Sequence, residues 1–400
     1  MPPAAVREIL MLDVLRERQR AEGDTFWLAG DDLVVLDPAL ARRLNGANFA
    51  DLTMPAGLRD LLRGRSGEPL SWASVRSAWT AQLHRLTEPA QVAALSARMS
   101  ALIEARLDQD VDLGRLAHEV CTRSLLPVVV ADLPPADLAR VTRELIDRVR
   151  DLSGAARPRW HTAHTTALQI GSALAVRRAL RARATGRRPR QLDLTDPLAV
   201  DLMPVLGMDR AVDATTALLS AIAGPPGATA ACLLYELAKP PWPDRLAAEL
   251  APLEPAALHT APLTARFVKE VLRMWSPLPL LQRDVRTPID LPGLRLRPGQ
   301  RYLLSPHVIH RDPRYWADPD TFDPDRWLSG ASHGNRYVPF GWAPRACVGA
   351  GLATIQLILL CHLMTTRYRL HPTDPAATRI DFGTTPVPRA FRGRISRAQA

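Results

Sequence analysis

The chain is short of lysine, of aromatic side chains and of cysteine, and it has no long uninterrupted apolar run. Only two of its 51 basic residues are lysines, Lys239 and Lys269; the positive charge is otherwise arginine, alongside abundant Ala, Leu and Pro, the usage of a GC-rich genome. Aromatics make up 5% of the chain and are not interleaved with a basic stripe, so the net charge of +10 does not describe a nucleic-acid-binding surface. The one arginine cluster, Arg177, Arg178, Arg181, Arg183, Arg187, Arg188 and Arg190, reads as a solvated helix end and loop. Four cysteines without a CxxC pair exclude a zinc ribbon and fit a reducing compartment. No run of 18 or more apolar residues predicts a membrane span, and Met1 to Arg20 is charged throughout, unlike a signal peptide. A cytoplasmic protein with no membrane anchor is expected.

What is present is enough apolar residue to bury a large core. The 400 residues are 47% hydrophobic, with a mean hydropathy of -0.08. No low-complexity linker interrupts them, so one domain over 1–400 is expected. Residues 4 to 20 have helical spacing, and Phe26 to Leu36 reads as a hairpin turning at Gly30-Asp31. From Pro38 to about Leu253 the apolar residues recur at three and four, which predicts mostly helix. Strands are expected at 288–291, 294–296 and 301–305, then a helix from Leu352 to Met364 and a short β-rich tail.

The segment Phe340-Gly341-Trp342-Ala343-Pro344-Arg345-Ala346-Cys347-Val348-Gly349 carries the chemistry. A thiol in a tight Gly/Pro loop, with an arginine two residues before it and an apolar helical run after it, has the setting of a metal-binding thiolate. Thiolate is the ligand form, and a helix N-terminus starting near Val348 would lower the thiol pKa through its free N–H groups and dipole. The metal expected is haem iron, where an axial thiolate favours O–O cleavage. Arg345 would pair as a fork with a haem propionate, and Phe340 would pack beside the sulfur. Cys121, Cys232 and Cys361 lie in apolar surroundings and read as core residues.

This segment resembles the cysteine loop of the cytochrome P-450 superfamily, Phe-Gly-x-Gly-x-Arg-x-Cys-x-Gly, with Ala343 where the family has glycine. Three further stretches resemble the family's motifs in its own order. They are Glu270-Val271-Leu272-Arg273; His310-Arg311-Asp312-Pro313 with Trp316; and Phe322-Asp323-Pro324-Asp325-Arg326-Trp327. The resemblance implies a mostly α fold with small β sheets around a buried haem b, of the kind found in soluble bacterial members. It implies a buried triad of Glu270, Arg273 and Arg326 that holds the cysteine loop. Besides Cys347 as the iron ligand, it suggests Arg345, Arg283, Phe340, Gly349 and, of two N-terminal options, His84 rather than Trp72/Arg76 as cofactor contacts.

One motif breaks the pattern. Ala221 to Ala230 resembles the long helix over the haem, but Pro226 stands for the proton-relay acid and Gly227 for the relay threonine. Two prolines remove two backbone donors, so the helix must kink or open and free carbonyls that can hold water. The candidate catalytic positions are therefore Pro226, Gly227 and Thr229, with protons coming from ordered water, Thr229 or the substrate. Restoring Thr at 227 and Glu at 226 is expected to raise product if only a relay is missing. The activity implied is haem-thiolate monooxygenation of a hydrophobic small molecule, a terpenoid or other secondary metabolite. Electrons would come from a separate ferredoxin or flavodoxin-type donor and its reductase, steered to the positive surface, with the enzyme a monomer. The alternatives are a haem-thiolate enzyme without oxygen insertion (peroxygenase, isomerase or oxidative coupling) and a non-catalytic haem protein.

Overall fold

The computed structural model describes residues 4–28, 30–48, 51–53, 72–152, 160–328, 333–343 and 345–398. The helices are α1 (Ala4–Glu22), α2 (Pro38–Ala47), α3 (Trp72–Leu86), α4 (Pro89–Glu104), α5 (Leu113–Val129), α6 (Pro135–Leu152), α7 (Trp160–Ala184), α8 (Asp196–Ala199), α9 (Met203–Leu206), α10 (Met208–Ala223), α11 (Pro225–Leu237), α12 (Trp242–Leu250), α13 (Pro262–Met274), α14 (Pro306–Ile309) and α15 (Ala350–His362). The strands are β1 (Thr25–Trp27), β2 (Asp32–Val35), β3 (Leu52–Thr53), β4 (Val111–Asp112), β5 (Leu281–Val285), β6 (Ile289–Leu291), β7 (Leu294–Leu296), β8 (Arg301–Leu304), β9 (Tyr368–Pro372), β10 (Arg379–Phe382), β11 (Pro386–Arg389) and β12 (Arg392–Arg397). The mostly helical fold with small sheets is the one expected. The chain forms two compact units. The first comprises Met1–Asp60, Arg266–Ala350 and Asp381–Pro386; the second comprises Leu61–Ala265, Gly351–Ile380 and Val387–Ala400.

The first unit is organised by a five-stranded sheet in the order β1-β2-β8-β5-β3. The expected hairpin is present, with Phe26 opposite Val34, and β2 then runs parallel to β8. Alternation along β8 buries Tyr302 and Leu304 with Leu33, Val35, Leu44 and Val285, which fixes the register because a one-residue slip would expose that face. The β5 to β8 pairing sets Arg283 opposite Tyr302 and buries the arginine. Helix α2 starts where Asp37 caps Leu40 N–H and Pro38 sits in the first turn, where its missing N–H costs nothing. Helix α13 buries Phe267, Val268, Val271 and Leu272, and the same face carries Glu270 and Arg273 inward.

The second unit is helical, with a three-stranded sheet in the order β4-β12-β9. Its centre is the pairing of α5 with α10 and α11. Asp112 caps α5 by accepting from Arg115 N–H at 2.8 Å, and Ala117, Val120, Cys121, Leu125 and Val129 of that helix are buried. Ala228, Ala230, Ala231, Leu233 and Leu234 of α11 are equally buried, and the small residues among them let two helices approach closely. The expected interruption at Gly-Pro-Pro-Gly is a full break: α10 stops at Ala223, Gly224 has φ -108° and ψ -85°, and α11 restarts at Pro225. By length and composition, Met208–Leu237 and Ala350–Arg367 are apolar enough to cross a membrane, although polar residues interrupt both. Inside the protein 67% and 56% of their most apolar windows are buried.

Candidate active site

In the first unit, the cysteine loop is closed by its own backbone. Cys347 N–H donates to Phe340 carbonyl at 2.8 Å, and Arg345 N–H donates to Trp342 carbonyl at 3.0 Å. The turn uses positive φ at Gly341 (+72°), whereas Ala343 has no left-handed backbone; that is why alanine is tolerated where the related loops carry glycine. Pro344 lies outside the described residues. Gly349 is beside the thiol, with Cys347 Sγ 3.9 Å from where a Cβ would stand. Helix α15 begins at Ala350, between the Val348 and Leu352 starts expected from sequence. Cys347 is the exposed thiol, whereas Cys121, Cys232 and Cys361 are buried. Burial pushes those three thiols up, Cys121 to about 12, so none of them offers a thiolate near neutral pH.

Arginines gather near this loop. Arg345 donates from Nη2 to Leu52 carbonyl, and burial next to the positive charges of Arg283 and Arg286 pushes its guanidinium down to about 10. Arg283 is also buried; its Nη1 donates to Gln282 carbonyl at 2.7 Å, while its Nε has no protein acceptor. The indole N–H of Trp342 in the loop is likewise buried without an acceptor. Like charges that repel and donors without acceptors are stabilised by a dianionic ligand, and the two carboxylates of a porphyrin meet that need. The donor set fits a haem: one accessible thiol, and two arginines for its acids. Arg286 was not foreseen, because an arginine three residues along a strand has no local signature.

The loop is tied to a heavily bonded buried group. Glu270 and Arg273, both fully buried, pair bidentately at 2.8 and 2.9 Å. Arg326 Nε reaches the same carboxylate at 2.9 Å, as do Trp327 Nε1 at 3.0 Å and Asp323 N–H at 3.0 Å. Arg273 spends its remaining donors on His310, Pro319 and Thr321 carbonyls. His310 is neutral, pushed to about 3 by burial and then by Arg273; its Nε2 accepts Val338 N–H at 2.8 Å, two residues before Phe340. The expected triad is thus a relay of fixed positions from α13 to the cysteine loop. Its role is to hold.

The other candidates lie in the second unit. His84 is exposed in the last turn of α3, and its alternative neighbour Trp79 is buried with its indole N–H on Leu194 carbonyl at 3.0 Å. The side chain of Trp72 lies outside the described residues. Pro226 is half-buried and Gly227 buried at the start of α11. The Thr229 hydroxyl is buried and donates to Pro225 carbonyl at 2.9 Å, within its own helix. The carbonyls that the prolines strip of donors are not all left to water. Thr122 Oγ1 of α5 donates to Ile222 carbonyl at 3.3 Å, and the buried His118 ring of α5 lies against Gly227, with Nδ1 2.4 Å from where a Cβ would stand. Neither His118 nor Thr122 was singled out from sequence.

Among known proteins, residues 231–389 match the family model Cytochrome P450. Cytochrome P450 4A12B of Mus musculus is 34% identical over 134 residues, 33% of this chain and 25% of that protein. Cyclooctatin synthase of Streptomyces melanosporofaciens is 37% identical over 113 residues, 27% of this chain and 24% of that protein. The aligned stretch thus spans about a quarter of the curated relatives' length. The fold likeness covers far more. The crystal structure of the cytochrome P450DA heme domain superposes with a TM-score of 0.79 at 20% identity, over 97% of this chain and 93% of that one. A zebra fish cytochrome P450 with progesterone gives 0.77 at 20%, over 96% and 99%. The chain thus has the cytochrome P450 fold, and its residues 231–389 resemble that family in sequence.

Proposed function

We propose that the protein is a haem-thiolate monooxygenase that oxidises a hydrophobic small molecule. The observation that carries this reading is the pairing, in one unit, of an accessible thiol with a buried arginine, Arg283, whose Nε has no acceptor among the described residues. Haem b held there would supply oxygen activation, which an axial thiolate favours. Cys347 would be the iron ligand, with its loop closed on Phe340 carbonyl so that the sulfur is presented in one place. Arg345 and Arg283 would take the two porphyrin acids. Glu270, through Arg273 and His310, would keep the loop from moving as the iron changes charge. The ferrous-CO difference spectrum tests the assignment: a thiolate-type Soret band, lost in Cys347→Ala, is expected, and a colourless protein or an imidazole-type band would overturn it.

A secondary metabolite of terpenoid type is the substrate class we favour. Relatives of similar identity include the cyclooctatin synthase and an apo-melianone synthase of Melia azedarach, both named for what they make. A ferredoxin or flavodoxin-type protein would deliver electrons, drawn by the net charge of +10. Substrate-induced spectral shifts across a terpenoid panel check the class. A second reading, turnover with peroxide or without oxygen insertion, is favoured by Pro226 and Gly227 at the acid and threonine positions. Product formed with hydrogen peroxide but not with NADPH, ferredoxin and reductase would select it.

A further inference from the structure

Helices α4, α5, α6 and α7 of the second unit leave a groove of about 940 Å³ between them, within the size range of small-molecule sites. Proline helps to shape it. Pro127 lies inside α5, where it gives no N–H to Arg123 carbonyl, and Pro135 opens α6; all three residues line the groove. The floor is apolar, formed by Leu102 of α4, Leu126 of α5, Leu138 and Ile146 of α6 and Leu168 of α7. Leu126 is buried and Leu102, Ile146 and Leu168 are half-buried, whereas Leu138 is 42% exposed. Covering such a floor with an apolar occupant releases water from it and is favourable.

The charge along the groove is of one sign. Arg98, Arg123 and Arg143 line it against a single carboxylate, Asp147, which accepts from the Thr165 hydroxyl at 2.9 Å. Arg123 is already paired at 2.6 Å with Glu119, which is not part of the lining. Arg98 is half-buried; its Nε donates to Ser124 carbonyl at 3.0 Å, and no carboxylate offsets the burial that pushes its guanidinium down. Arg143 is exposed and makes no ion pair among the described residues. Two cations without an acid, beside an apolar floor, complement an anion carried on an apolar body. With the third cation neutralised, a head of one negative charge suits them, and a carboxylate meets a guanidinium as a fork.

We propose that this groove binds a free long-chain monocarboxylate, its acid on Arg98 and Arg143 and its chain along Leu126, Leu138 and Ile146. No lining residue is among those read as holding haem or forming the distal helix, so the site goes beyond the monooxygenase reading and does not depend on it.

Dodecanoate is the probe, titrated calorimetrically into the haem-loaded protein with saturating 4-phenylimidazole keeping the haem site filled. Saturable binding is expected, with dodecan-1-ol and dodecyltrimethylammonium at least about tenfold weaker. Arg98→Gln and Arg143→Gln should each weaken dodecanoate about tenfold or more and leave dodecan-1-ol unchanged. Leu138→Glu, at an exposed position, should weaken both ligands. Arg123→Gln should stay within about twofold of the parent, since Glu119 already takes its charge. Melting curves and ferrous-CO bands like the parent's show that each variant is folded. No saturable binding, dodecan-1-ol binding as tightly as dodecanoate, or both Arg98→Gln and Arg143→Gln binding like the parent would overturn the proposal. So would an Arg123→Gln loss as large as that of Arg98→Gln, because net charge alone would then be sensed. Dodecanoate that binds only when 4-phenylimidazole is left out sits at the haem, which overturns the groove and leaves the monooxygenase reading standing. If Arg98→Gln does not fold, Arg143→Gln and Leu138→Glu decide the same question.

Discussion

The two units place buried polar groups by opposite means. In the first, one carboxylate, Glu270, gathers two arginines, an indole and a backbone amide, so every partner of the buried charge is accounted for. In the second, two prolines take donors away from a buried helix, and the Thr122 hydroxyl on α5 puts one back, on Ile222 carbonyl. The first arrangement is redundant and rigid. The second has one hydroxyl at the break and, at Gly227, no room for a side chain beside His118. Redundancy suits a loop proposed to hold a metal ligand still, and a lean arrangement suits a helix that breaks.

The contrast is sharpest in what each unit loses to one substitution. Glu270→Ala leaves Arg273 and Arg326 buried without their carboxylate, so unfolding free energy should drop by about 3–5 kcal/mol, or haem-loaded protein should fail to accumulate. A loss below about 1 kcal/mol in a denaturant titration would mean that the carbonyls alone hold the arginines. In the second unit, Gly227→Thr should cost about 3 kcal/mol by overpacking, with only part recovered in the His118→Ala background because the α5 backbone is also in the way. Unchanged stability would show that α5 and α11 separate easily.

Each unit also buries a neutral histidine, and acid probes both. His118 and His310 ordinarily titrate near 6.5 and are held at about 4 and about 3 in the folded protein. The unfolded chain therefore binds more protons below pH 6.5. Stability contributed by these rings is full above that pH and falls as pH drops toward 4, by up to about 3 kcal/mol per ring. Melting curves from about pH 7.5 to about pH 4.5 should show this slope, and His118→Gln should flatten its share; an unchanged slope would mean that His118 is protonated in place. The smallest effect concerns the arginines. Arg283→Met removes a cation that repels Arg345, so the protein without porphyrin should gain about 1 kcal/mol or stay neutral, while haem dissociates about tenfold faster. Heme-transfer kinetics and melting of the haem-free form measure the two signs; equal losses in both would make Arg283 an ordinary structural residue.

The first unit was the more legible because its chemistry follows local spacing. Glu270 and Arg273 meet at i,i+3, and Cys347, Arg345, Phe340 and Gly349 share one loop. Arg283 was reached through the resemblance and Arg286 was not, since a strand register decides which arginines converge. In the second unit, Pro226 and Gly227 flagged the break but not the close approach of His118 to Gly227. His118 lies 109 positions before Gly227, and nothing along α5 distinguishes it from an ordinary buried histidine.

Residue order alone was sufficient to determine the closed cysteine loop, the buried triad, the place where the long helix must break, and the mostly helical class, because these depend on short-range spacing and on what proline cannot donate. Only the tertiary structure decided that Thr122 donates to Ile222 carbonyl at the break, and that the space beyond Gly227 is already taken by His118. Those outcomes depend on the distance between two helices far apart in the chain, which packing sets and local sequence does not record.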